Sequence, residues 1–142
     1  MLATLGCVVI DQSRNDLLIS NETETAFFVK KLFLLPNSDI IFVADVASEG
    51  ATVLMKDNEI PPHAKIRVPL SMPRRMGLSV EMCQSLQNPA WTGRHSVTNL
   101  PTWGNRITIA HSDQTGSAMR PEKTYLRSWF ERYVNWLPLP IH

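Results

Sequence analysis

Two stretches of strict alternation, Ala64 to Leu70 and Met76 to Met82, constrain the fold of this 142-residue chain more than any other feature. In the first, Ala64, Ile66, Val68 and Leu70 alternate with Lys65, Arg67 and Pro69. In the second, Met76, Leu78, Val80 and Met82 alternate with Gly77, Ser79 and Glu81. Side chains along a strand point to opposite faces in turn, so a period of two marks strands with one face in a core and the other in water. The short separation "SMPRR" predicts that the two strands pair as a hairpin, with Leu70 facing Met76, Val68 facing Leu78, Ile66 facing Val80 and Ala64 facing Met82. That register sets Lys65 opposite Glu81, a cross-strand pair of about 0.2–1 kcal/mol. Pro69 cannot donate to a ladder and predicts an edge position. Arg74 and Arg75 would then stand at the hairpin tip.

The remaining elements are read in the same way. "LGCVVI" (Leu5–Ile10) is a short apolar run rich in β-branched residues that ends in a polar turn cluster, and with "DLLIS" it predicts a first hairpin. "ETAFFVKKLFLLP" is open between two forms. Phe27, Phe28, Leu32 and Leu35 suit a helical face, whereas two aromatics and Val29 favour a strand. "DIIFVADV" (Asp39–Val46) and "ATVLMK" read as buried strands, and "RITIAH" (Arg106–His111) as a last short one. Residues 84–105 lack periodicity and read as a long loop, which in a compact domain is usually functional or held against a partner. A C-terminal helix is predicted from Pro121, with Leu126, Trp129, Phe130, Tyr133 and Leu137 as its apolar stripe and Arg127–Glu131 as an i, i+4 pair. The fold expected is one α+β, β-rich domain over 1–142. It comprises six to eight short strands in a small antiparallel sandwich or barrel, with one C-terminal amphipathic helix.

An apolar fraction of 44% with 19% charged residues describes a folded chain. No run reaches the ~18 apolar residues of a membrane-spanning helix, and the N-terminus lacks the basic start and cleavage site of a secretory signal. The expectation is a cytoplasmic protein or part of an intracellular particle, neither secreted nor transmembrane, with no membrane partner. Cys7 and Cys83 both lie in apolar runs and read as buried thiols, with their pairing left open. No set of four closely spaced ligands exists for zinc, so neither metal nor cofactor is expected.

The net charge of +1 conceals a division. Residues 1–59 hold nine acids against four bases, and residues 60–142 hold ten bases against four acids. Eight of those ten bases are Arg, whose planar fork suits carboxylates and phosphates.

Catalytic signatures are lacking. No Gly-x-Ser-x-Gly elbow, phosphate loop or dinucleotide fingerprint occurs, and "HSD" (His111–Asp113) reads as a strand end followed by a turn. The long loop carries Trp91, Arg94, His95 and Trp103, residue types that dominate both protein hot spots and base-stacking surfaces. The interaction residues expected are Arg74, Arg75, Trp91, Arg94, Trp103 and Arg106. The function expected is a non-enzymatic assembly or adaptor subunit with a protein partner or as a homo-oligomer, of the kind found in a virion or other multi-subunit particle. The alternative is a small β-barrel nucleic-acid-binding module, with Arg67, Arg74, Arg75, Arg94 and Arg106 on phosphates and Trp91 and Trp103 stacking on bases.

Overall fold

The structure, a computed structural model, describes residues 2–36, 52–87, 92–114 and 116–134. Its elements run α1 (Leu2–Ser13), β1 (Asn15–Asn21), β2 (Phe27–Pro36), β3 (Thr52–Ile60), β4 (Lys65–Leu70), β5 (Met76–Cys83), β6 (Thr92–Leu100), β7 (Asn105–Ser112), β8 (Gly116–Lys123) and α2 (Tyr125–Tyr133). Among the described residues the strands form two four-stranded sheets, β4-β1-β7-β8 and β3-β2-β5-β6. All neighbours are antiparallel except β1 and β7. One apolar cluster lies between the sheets. Leu17, Ile19, Ile107 and Ile109 enter it from the first, and Phe27, Val29, Leu32, Leu34, Leu78, Val80 and Met82 from the second. The chain is therefore a β-rich α+β fold whose sheets form a sandwich.

Both alternating stretches are strands, and their apolar faces point inward as their period requires. They do not form a hairpin. β4 pairs with β1 and β5 pairs with β2 and β6, so the intervening residues carry the chain from one sheet to the other. Alternation fixes which face is buried and leaves the neighbour open. Leu70 and Met76 enter the same core from different sheets and are not ladder partners. Lys65 stands opposite Ser20, while Glu81 takes Lys30 and Arg94 as ionic partners. Among the described residues Pro69 does lie on an edge strand. The bond from Asn21 N–H to the Ala64 carbonyl makes that pair a hydrogen-bonded one, so alternation turns the nitrogen of Pro69 to the open edge.

β2 resolves the ambiguous "FFVKKLFLL" as a strand with a bulge. Its register against β5 shifts between Val29 and Lys31, so Lys30 is one extra residue. Inward positions are odd before the bulge (Phe27, Val29) and even after it (Leu32, Leu34). That slip in parity is what imitates a helical spacing. Phe33 and Leu35, on the opposite face, are buried as well.

Three other expectations are corrected. Residues 5–10 lie in α1 and form no hairpin strand, because β1 already has β4 and β7 on its two edges. The expected loop 84–105 contains β6, an edge strand with few apolar residues on its inward side, which an apolar period cannot reveal. The helix begins later than Pro121, which lies in β8 level with Ile107. Thr124 is its N-cap, the hydroxyl accepting from the Arg127 N–H. The expected strand Asp39–Val46, Trp91 and the tail beyond Val134 lie outside the described residues.

Candidate interaction surface and a polar cleft

The structure does not gather the expected interaction residues onto one face. Arg74 and Arg75 are exposed between β4 and β5, and Arg75 donates to the Asn99 carbonyl. Arg94 lies on β6 with its guanidinium toward Glu81. Arg106, on β7, grips Asp16 of β1 and also the Asp11 carboxylate and carbonyl at the end of α1. Trp103 is partly buried, edge-on to Phe130 at 5.4 Å and beneath the Arg127 guanidinium at 4.8 Å. Arg106 and Trp103 thus act within the fold, tying both helices to one end of the sandwich.

Gly104 sits at the centre of that end. Its φ of +75° is a left-handed conformation, and a Cβ there would meet the Arg127 Cβ at 2.6 Å. Its N–H donates to the Ser13 carbonyl of α1, and its own carbonyl accepts from Thr124 N–H ahead of α2. Beside it, Arg127 is buried and bonds Glu131, which also receives Lys123. Burial works to raise the Glu131 carboxyl, yet hydrogen bonds from Lys123 and Arg127 outweigh it and hold the group below its ordinary value.

What this end presents outward is apolar. In α1, Leu5 through Ile10 are all exposed, with Leu5 at 62% and Ile10 at 54%. A helix apolar on every side is normally enclosed on every side. Cys7, expected to be buried, is one of these exposed residues, whereas Cys83 is buried and free, its thiol pushed up by burial. α2, adjoining α1 through the Leu126 N–H on Gln12, adds exposed Tyr125, Trp129 and Tyr133. The sequence assigned Trp129 and Tyr133 to the core. The helix instead turns Arg127, Leu126 and Phe130 toward the body, because Arg127 finds Glu131 and the Trp103 ring there.

A second feature is a cleft of about 510 Å3 at the margin between β6 and the β7–β8 pair, lined by Gly93, Arg94, His95, His111, Ser112, Asp113, Gly116 and Ser117. His95 stands level with core-facing Val80, and His111 continues the inward series Ile107, Ile109. Ser117 is level with His111. The interior layer therefore ends in polar side chains. His95 Nε2 lies 2.7 Å from Ser117 Oγ, and the His111 ring meets Phe27 edge-on at 5.2 Å. Burial holds both imidazoles below their ordinary value of 6.5, with Asp113 acting against it at His111. His63 is elsewhere, paired with Glu24. Among the described residues no group of three or more His, Cys, Asp or Glu could hold a metal, and no helix is long and apolar enough to cross a membrane.

Comparison with protein-family models, with curated proteins and with solved structures finds no match for this chain.

Proposed function

We propose that this protein is an assembly or adaptor subunit whose α1 and α2 present an apolar face to another protein chain, in the first place a second copy of itself. The exposed run Leu5 to Ile10 carries this reading. Contiguous apolar patches of this kind on folded proteins mark contact sites, and Trp and Tyr, here Tyr125, Trp129 and Tyr133, are prominent among hot-spot residues. Helices that lie on lipid carry a basic polar face, and Leu2–Ser13 contains no Lys or Arg. A net charge of +1 leaves little repulsion between copies, and the acidic first half and Arg-rich second half allow complementary contacts around the apolar centre.

Phosphate binding has less support. Arg94 and Arg106 already face Glu81 and Asp16, and the Trp103 ring packs on Phe130.

Cys7 supplies the test, because it lies within the run and Cys83 is buried. Alkylation of Cys7 is expected to slow as protein concentration rises and copies cover α1. A rate independent of concentration and unchanged by any co-purifying protein, but slowed by lipid vesicles, would assign the face to a membrane and overturn the proposal.

A further inference from the structure

The polar cleft asks for a different explanation from the apolar face. Between the sheets, inward positions along β5, β6, β7 and β8 are filled by Leu78, Val80, Val97, Ile107, Ile109 and Met119 until the margin is reached. There the same layer continues as His95, His111 and Ser117. Polar groups placed in a core layer cost stability unless they are bonded, and sequences retain such departures mainly at functional sites. One pair among them has the geometry of chemistry. Ser117 Oγ and His95 Nε2 are 2.7 Å apart, within the 2.6–3.2 Å that a nucleophile and its base require.

We propose that Ser117 and His95 form a nucleophile–base pair, and that the cleft accepts a small ester whose acyl group Ser117 takes. In the neutral imidazole that carries its proton on Nδ1, Nε2 accepts from the Ser117 hydroxyl. On attack a bond forms from Oγ to the carbonyl carbon while the hydroxyl proton passes to Nε2. The ester C–O bond then breaks, and the leaving alkoxide takes the proton back from Nε2 as alcohol. Water attacking in the same manner releases the acid and restores the serine. Burial pushes the His95 imidazole below its ordinary value and so favours the neutral form, the form a base must have. The charged or titrating groups around it are His111 on β7, Asp113 in the turn that follows, and Arg94 on β6, whose guanidinium is directed to Glu81. The cleft, about 510 Å3 and open to solvent, has room for a small substrate beside the pair.

The test is reaction of the full chain with a fluorophosphonate, in which Ser117 Oγ displaces fluoride from phosphorus and the released proton passes through His95 to water. Mass spectrometry of the digested, labelled wild-type protein is expected to place the adduct on Ser117, a result that needs no variant to fold. His95→Gln is expected to slow labelling by about 10²-fold or more, the usual contribution of a positioned base. The wild-type rate should be level from neutral pH upward and fall on acidification at a point below 6.5, whereas His95→Gln should lose that inflection. No adduct, an adduct on another serine, or labelling of Ser117 at an unchanged rate in His95→Gln would overturn the proposal.

Discussion

Gly104→Ala concentrates the packing of the helix-bearing end into one methyl group. A residue with a Cβ pays roughly 1–2 kcal/mol to hold the left-handed conformation that glycine adopts here freely. The added carbon would also lie 2.6 Å from the Arg127 Cβ. Carbon atoms rest about 3.5–4.0 Å apart, so one of the two must withdraw by roughly 1 Å. Arg127 is held at its far end by Glu131 and beneath its guanidinium by Trp103, which leaves it little freedom. Overpacking of this kind costs about 1–3 kcal/mol, so the total expected is about 2–5 kcal/mol. In urea unfolding, with a slope of about 1–3 kcal/mol/M, the midpoint should fall by on the order of 1–2 M. Gly93→Ala, which meets nothing within 4 Å and carries no positive φ, should move it far less. Gly104→Asn separates the two causes. Asn tolerates a positive φ yet keeps a Cβ, so the clash predicts that it remains strongly destabilising. A Gly104→Ala midpoint within experimental error of wild type would refute both the strain and the contact.

Other substitutions test neighbouring parts of the structure. Gly6→Ala, in α1 with nothing within 4 Å, should stabilise the protein by about 0.5–1 kcal/mol in the same urea assay, since alanine is the better helix former. The Glu131 carboxyl is held below its ordinary value of 4.5 in the fold, so its contribution is complete above that value and is lost as pH falls through the lower folded one. Thermal unfolding of wild type should therefore lose stability in that acidic window, and Glu131→Gln should be less stable at pH 7 and show a shallower acid limb. In a mixed alkylation of native protein, Cys7 should react and Cys83 should not until unfolding, because burial both shields the Cys83 thiol and raises its pKa.

Inward faces could be read from the chain because alternation is a local record of burial. Val68, Leu70, Leu78 and Val80 all lie where their period places them. Which strands become neighbours is not local. The five residues Ser71–Arg75 can close a hairpin or cross between sheets with equal ease, and here they cross. Edge strands β6 and β8 eluded detection because few of their inward positions are apolar: Gly93, His95 and Ser117 carry no hydrophobic signal. The bulge at Lys30 hid β2 by shifting its parity. The sequence foresaw Arg127–Glu131 as an i, i+4 pair, but not that Arg127 would be the buried residue of α2 and Trp129 an exposed one. For the candidate surface, an apolar run such as Leu5–Ile10 reads the same whether its own fold or another chain encloses it. The cleft unites His95 and Ser117, 22 positions apart, through the approach of two sheet margins that no motif announces.

Light scattering of the purified protein over a wide concentration range, repeated with Val9→Glu, tests the central claim most directly. Val9 is exposed, so a carboxylate there leaves the fold intact while opposing burial of α1 against another chain. A defined oligomer for the wild type that becomes a monomer in Val9→Glu, with unchanged circular dichroism, is the result predicted. Wild type that remains strictly monomeric and brings down no partner from its native source, or an oligomer that Val9→Glu leaves intact, would contradict it.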